Sequence, residues 1–191
     1  PNTYQYTHAG EHLLATFTSE KYPKFEDVKE QLGIKGVYSN AMTGRYYTLY
    51  FLTGDNKYLD LLLDLLSNTY FHFKFTGNWD HQKNIVLEEV KAKNSGTWND
   101  FEEMINRTLF PNHVLGSSWR EDVVSLQRAK IQDLVRYNVN KLNPKDTVLT
   151  IEGDYGSVTP LFKKIVKYFD KPSATTYKLH VPPSKPFVGP H

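Results

Sequence analysis

The chain of 191 residues is long enough to form one sizeable domain that buries its core without disulfides. It contains no cysteine, which excludes a disulfide scaffold, a thiolate metal site and a cysteine nucleophile. Its formal net charge is +2 with acidic and basic residues mixed along the chain, so the sequence lacks the basic stripe typical of a nucleic-acid partner.

Hydrophobic periodicity, glycines and turn residues predict helices and strands along the first half of the chain. In chain order, we expect a short strand over Asn2–Tyr6, a helix beginning near Thr7, a helix over Phe25–Leu32 ended by Gly33, strands over Val37–Thr43 and Tyr46–Thr53 joined by a tight turn at Gly44-Arg45, and a helix over Lys57–Tyr70.

The second half of the chain predicts more helix than strand. We expect helices over Asp80–Lys93, Asn99–Leu109 and Ser125–Asn138, a strand over Thr147–Ile151 and a last helix over Pro160–Phe169. A hairpin, a later strand and many helices predict an α+β fold, with helices packed on one face of a mainly antiparallel sheet. We expect a single domain over residues 1–180, followed by a tail or linker over 181–191 that carries four of the ten prolines.

The pentapeptide His8-Ala9-Gly10-Glu11-His12 places two imidazoles one turn apart on one helix face. That spacing allows both side chains to bind one zinc ion at about 2.0–2.1 Å. Glu11 precedes the second histidine, where its carboxylate can accept a proton from a zinc-bound water and pass it to a leaving amine. The pair also has an ordinary explanation, because a pattern fixed at three positions occurs by chance in about a few per cent of chains of this length.

Glu89 is a candidate third ligand in the predicted helix over Asp80–Lys93. The adjacent Glu88 projects about 100° away around that helix, so only one of the two can face the site. Two histidines and a glutamate leave the fourth position of a zinc ion for water, which distinguishes a hydrolytic site from a structural one. The alternative is a solvated helix face on which these carboxylates pair with Lys91 or Lys93.

In their order along the chain, these residues resemble the pitrilysin/insulinase family of inverted-motif zinc metallopeptidases, to which the mitochondrial processing peptidases are related. The resemblance covers nearly the whole chain and is carried by several segments: His8-x-x-Glu11-His12, Lys21-Tyr22-Pro23, Gly36–Thr43, Asn84–Val90, Phe110–Gly116, Val148–Asp154 and Lys167-Tyr168-Phe169. Several ordered matches are far more specific than the pentapeptide alone.

The resemblance implies that His8, His12 and Glu89 bind one Zn²⁺ per chain. It implies that Glu11 is the catalytic base of an endopeptidase that hydrolyses extended or unstructured peptides. It also implies that the strand Ser39-Asn40-Ala41-Met42-Thr43 is an exposed edge, to which a peptide substrate adds as a further strand. From the residues alone, an ordinary hairpin strand explains this last segment equally well.

The sequence departs from the family pattern in three ways. Gln82 stands where the family usually has a second glutamate, so we expect a hydrogen-bonding group near the ligands that adds no negative charge. The stretch before His8 is shorter than the strands that members usually carry there. Members also pair this domain with a related one that supplies an Arg and a Tyr, whereas Arg136-Tyr137 is expected to pack locally. The resemblance therefore implies a homodimer or a complementary partner chain.

Two other functions stay open. A non-catalytic family member that binds peptides or scaffolds a two-domain complex would typically have lost the motif, which this chain keeps. A small-molecule hydrolase or lyase with the same motif is the third class, and its best-known example needs a cysteine ligand that this chain lacks.

The sequence says little about location. No apolar run approaches the roughly 18 residues that span a bilayer, so we expect no membrane span. No stretch resembles a signal peptide, which favours the cytoplasm, but the compartment stays unknown because the chain begins at Pro1 rather than at a methionine.

Overall fold

The structure is a computed structural model that describes residues 4–74, 79–94, 96–118, 123–139, 141–142 and 146–170. These residues form eight α-helices, one β-hairpin and two short 3-10 turns. The elements are α1 (Tyr4–Leu14), α2 (Phe25–Ile34), β1 (Tyr38–Thr43), β2 (Thr48–Thr53), α3 (Leu59–Phe71), α4 (Trp79–Asn94), α5 (Thr97–Leu109), α6 (Val123–Arg128), α7 (Ile131–Val139) and α8 (Val158–Phe169), with 3-10 turns over Asn56–Tyr58 and Val114–Gly116. The expected tail over 181–191 lies outside the described residues, as does the end of the expected domain.

The α+β prediction is confirmed, although the sheet of the described residues is small. It consists of β1 and β2, which pair antiparallel from Tyr38 opposite Thr53 to Thr43 opposite Thr48. Helix α1 packs against both strands and also contacts α4 and α7. The helix that carries the zinc motif therefore lies between the hairpin and the helical part of the fold.

Two clusters of buried apolar residues hold this arrangement. The first joins α1, α4, α6 and α7 and consists of Ala9, Val86, Val90, Leu126, Ala129 and Leu134. The second joins α2, α3 and the start of the hairpin and consists of Phe17, Val28, Leu32, Val37 and Leu65. Because Ala9 and Val90 belong to the first cluster, their sequence neighbours on α1 and α4 are brought close to each other at its edge.

Gly10 allows α7 to approach α1 closely. A Cβ atom built on Gly10 would lie 2.1 Å from Asn138 Oδ1, which is far inside van der Waals contact. The Asn138 amide donates hydrogen bonds to the carbonyl oxygens of Tyr6 (3.2 Å) and Leu134 (2.9 Å), so the side chain links the two helices. The glycine in the middle of the pentapeptide is thus required by packing.

Three predictions at the ends of elements were wrong. Residues 4–6 belong to α1 and not to a strand, since α1 begins at Tyr4. Gly33 lies inside α2, and the left-handed residue is Gly36, with φ of 63°, which closes the helix three residues later. The turn of the hairpin lies between Gly44 and Tyr47 and not at Gly44-Arg45: the Gly44 N–H donates to the Tyr47 carbonyl at 2.8 Å, and β2 begins only at Thr48.

Two longer predictions were also wrong. The helix expected over Ser125–Asn138 is two helices, α6 and α7, separated at Ala129-Lys130, where the Lys130 N–H donates to the Asp133 carboxylate at 3.3 Å. The segment Thr147–Ile151 is not a strand: no described strand pairs with it, and Val148 is 88% exposed. A strand needs a neighbour for its backbone hydrogen bonds, and β-type residues alone do not supply one.

Candidate metal and catalytic site

His8, His12 and Glu89 come together where α1 crosses α4, in front of β1. One ligand atom from each lies within 4.8 Å of the others, which makes them the one such group of potential metal ligands among the described residues. Glu89 Oε2 lies 3.2 Å from His8 Nε2 and 3.6 Å from His12 Nε2. The sequence placed these residues on two elements, and the packing of α1 on α4 brings them together.

The distances fit a tetrahedral ion. Zinc binds histidine nitrogen and carboxylate oxygen at about 2.0–2.2 Å, so two ligand atoms on a tetrahedral zinc lie roughly 3.4 Å apart. The two nitrogen-to-oxygen distances, 3.2 and 3.6 Å, bracket that separation. Both histidine nitrogens therefore stand from the Glu89 oxygen at the spacing that such an ion requires, and the three ligand atoms lie within 4.8 Å of one another.

The state of His8 also suits a metal ligand. Burial lowers the pKa of His8 from 6.5 to about 4, with the neighbouring His12 as the next contribution, so its imidazole is neutral at pH 7. His8 Nδ1 lies 3.2 Å from Gln5 Oε1, and an amide oxygen only accepts, so Nδ1 carries the ring proton. His8 Nε2 then carries the lone pair with which a neutral histidine binds a metal, and it lies 3.2 Å from Glu89 Oε2.

Glu11 lies beside the three ligands and is held by the hairpin. Its side chain is buried, and its Oε2 accepts a hydrogen bond from the Thr43 hydroxyl at 2.5 Å. Burial raises the pKa of Glu11 above its ordinary value, and the Thr43 hydrogen bond acts in the opposite direction. A carboxylate whose pKa is raised accepts a proton more readily near neutral pH, as a general base must.

The edge of β1 beyond the hairpin is open among the described residues. Gly44 and Tyr47 form a hydrogen-bonded pair, so the alternation of an antiparallel ladder directs the backbone groups of Ser39, Ala41 and Thr43 away from β2. The Ala41 N–H on that edge donates to the side-chain oxygen of Asn40 at 2.8 Å. No further strand among the described residues pairs with the predicted substrate strand, which ends beside Glu11 at Thr43.

The other predicted residues are placed as follows. Glu88 projects away from the ligands and pairs with Lys91 at 3.7 Å, so one of the two adjacent glutamates faces the site, as expected. Gln82 lies on α4, half-buried, and its expected contact with the ligands stays a prediction. Met42 is 49% exposed on the outer face of β1. Tyr137 packs on α1, where its hydroxyl lies 3.2 Å from Thr7 Oγ1, which confirms local packing for this residue.

Sequence reasoning missed two side chains of the site. Gln5 is fully buried and contacts His8, and the signal for it was its position three residues before His8 on the same helix face. Tyr50 lies opposite Ala41 on β2, and burial raises its pKa well above the ordinary value, with smaller contributions from Tyr70 and Glu11. No local sequence pattern connects Tyr50 to Glu11, because only the hairpin and α1 together place them near each other.

Comparisons with known proteins agree with this geometry. The sequence matches the family described as Insulinase (Peptidase family M16) over residues 3–123. Over 164 residues it is 24% identical to the uncharacterized zinc protease YmxG of Bacillus subtilis (strain 168), covering 85% of this chain and 39% of that protein. The fold is similar to the crystal structure of a protease from Helicobacter pylori, with a TM-score of 0.79 at 20% identity, over 95% of this chain and 44% of the other. The chain therefore spans less than half the length of both relatives.

Proposed function

The chain belongs to the insulinase family of peptidases, and on that premise we propose that it is a zinc-dependent endopeptidase module acting on extended peptides. The observation that carries the proposal is the group formed by His8, His12 and Glu89, in which both histidine nitrogens stand from the Glu89 oxygen at the spacing of ligands on a tetrahedral zinc ion. A hydrolytic zinc site needs three protein ligands and an open fourth position, and this group supplies three.

A zinc ion bound there would polarise the scissile carbonyl and lower the pKa of water at the site. Glu11 then acts as the base: it takes the proton of the attacking water and delivers it to the leaving amine. The Thr43 hydroxyl fixes the orientation of that carboxylate. Gln5 fixes the ring of His8 in the same way, through Nδ1.

The edge of β1 is the surface to which we assign the substrate. A peptide that adds as a strand would exchange backbone hydrogen bonds with Ser39, Ala41 and Thr43, whose groups point away from β2. Strand β1 ends at Thr43, whose side chain contacts Glu11. A peptide bound along this edge would therefore extend to the position of the base. Backbone recognition of this kind requires the substrate to be extended and does not fix its sequence.

We further propose that the module acts with a second one, either another copy or a complementary chain. Both relatives contain more than this module, which covers 39% of one and 44% of the other. Among the described residues, we identify no group beyond the metal ligands that is placed to stabilise the oxyanion of the transition state. That contribution is often worth a few kcal/mol in barrier height, so a partner that supplies it would raise turnover strongly.

The experiment is a comparison of the native chain with Glu11→Gln. Zinc content, mass in solution and hydrolysis of a quenched peptide library are measured for both. We expect one bound zinc in each and hydrolysis by the native chain, alone or after assembly. Equal hydrolysis by both variants would refute Glu11 as the base. Zinc and peptide binding without hydrolysis in every assembly would favour the alternative, a non-catalytic peptide-binding subunit.

A further inference from the structure

Lys93 lies one helical turn after Glu89 on α4. Residues at i and i+4 share one face of a helix, with Cβ atoms about 5–6 Å apart. Side chains on a helix also lean back toward its N-terminus, which for Lys93 is the direction of Glu89. Lys93 therefore lies on the face of α4 that carries Glu89.

Within the described part of the chain, Lys93 differs from the other two lysines of α4 because it forms no ion pair. Lys83 pairs with Asp80 at 3.2 Å, and Lys91 pairs with Glu88 at 3.7 Å. Lys93 is exposed and forms no ion pair with any residue in the described part of the chain. An exposed ammonium group is therefore available to an outside partner next to the metal ligands.

The charges of the proposed loaded site make that partner an anion. Glu11 and Glu89 supply two negative charges, which a divalent ion balances. The carboxylates that would otherwise attract Lys93 are then neutralised, and Lys93 leaves one positive charge in excess one helical turn from Glu89. Backbone pairing along β1 does not discriminate between side chains, so such a charge is free to determine preference.

We infer that Lys93 binds a carboxylate of the peptide substrate close to the scissile bond, so that the site prefers peptides with an acidic side chain or a free C-terminus within reach of α4. The inference rests on the proposed function for its substrate class. The two sources of the carboxylate share one chemistry, and a matched set of peptides separates them.

The test uses the full chain loaded with zinc and four quenched peptides of one scaffold. The first pair carries either Asp or Asn at one position, and this position is varied along the scaffold. The second pair ends in either a free carboxylate or an amide. The variants are Lys93→Gln and, as a control on the same helix, Lys91→Gln, which lies about 200° away from Glu89 around α4. Binding of the same peptides to a zinc-loaded Glu11→Gln chain, with and without Lys93→Gln, gives a second readout that needs no turnover.

We expect the native chain and Lys91→Gln to favour the anionic member of at least one pair by about three- to fivefold, as befits a partly exposed ion pair. Lys93→Gln abolishes this preference, and added salt weakens it in the native chain. If Lys93→Gln loses the preference for Asp over Asn, the carboxylate that Lys93 binds belongs to a substrate side chain. If it loses the preference for the free acid over the amide, that carboxylate is the substrate's C-terminus.

Equal preferences in native and Lys93→Gln chains, in hydrolysis and in binding, would overturn the inference. Failure of the proposed function is recognisable separately, because the native zinc-loaded chain would then cleave none of the four peptides, alone or in any assembly. The binding measurement still decides the role of Lys93 in that case.

Discussion

Replacing Thr43 by Val removes the hydroxyl that donates to Glu11 at 2.5 Å and keeps the shape of the side chain. Glu11 is 8% exposed, so water cannot fully replace the lost donor. A hydrogen bond to a charged group contributes roughly 1.5–3 kcal/mol, and we expect the metal-free Thr43→Val chain to lose about that much free energy of unfolding. Urea denaturation at neutral pH measures the loss.

A double-mutant cycle with Glu11→Gln identifies the partner. Thr43→Val should cost much less in the Glu11→Gln background, because the charge that strengthens the hydrogen bond is gone. Thr43→Ser should restore the coupling, and Thr53→Val, the same change at the exposed far end of the hairpin, should cost little. Strict additivity of the Thr43 and Glu11 substitutions would refute a functional contact between hairpin and base.

Three further predictions follow from the site. Burial lowers the pKa of His8 from 6.5 to about 4, so between these pH values the unfolded chain binds more protons than the folded one, and the metal-free protein should lose up to about 3 kcal/mol of stability as the pH falls from 6.5 to 4. In urea titrations at several pH values, His8→Gln should flatten this dependence of the unfolding free energy on pH. Equal slopes for the native chain and His8→Gln would contradict the prediction. Gln5→Leu leaves the His8 Nδ1 proton without its acceptor and should weaken zinc binding about 10- to 100-fold in competition with a chelating dye, whereas unchanged affinity would exclude this role. Ala41→Pro removes an N–H that faces away from β2, so it should reduce peptide binding while leaving the hairpin folded. As a control, Met42→Pro removes an N–H that faces β2 and should break the hydrogen bonds between the two strands. Unchanged peptide binding by Ala41→Pro would argue against strand addition.

The candidate ligand group could be anticipated from the sequence because the spacing within each of its two helices is regular. His8 and His12 lie one turn apart on one helix. Glu88 and Glu89 project about 100° apart around α4, so only one of the two glutamates can face the histidines. The third ligand was placed by an ordered family resemblance, and the packing of Ala9 against Val86 and Val90 brings its helix to α1. Residues three or four positions apart in a helix share one face, so the relative positions of side chains within a helix can be predicted from the sequence.

The contacts that surround the ligands depend on tertiary structure, and the sequence could not place them. Thr43 was expected to contact substrate through its backbone, and its side chain in addition holds Glu11. Nothing local to residue 43 signals a partner on α1, since the contact exists only after the hairpin packs there. The strand expected over Thr147–Ile151 failed for the same reason, because β-type residues form a strand only beside another strand.

No helix in the part of the chain that the structure describes is long and apolar enough to cross a bilayer. The compartment and the proposed partner chain stay predictions, and both can be addressed once metal binding is established.

The most direct test of the account is the zinc stoichiometry of two neighbouring variants, Glu88→Gln and Glu89→Gln, measured by equilibrium dialysis and elemental analysis. The two changes remove the same charge from adjacent positions of α4, but Glu89 faces both histidines and Glu88 pairs with Lys91. We predict that Glu88→Gln binds one zinc per chain like the native protein and that Glu89→Gln binds it far more weakly. Equal zinc binding by both variants would contradict a site built from His8, His12 and Glu89.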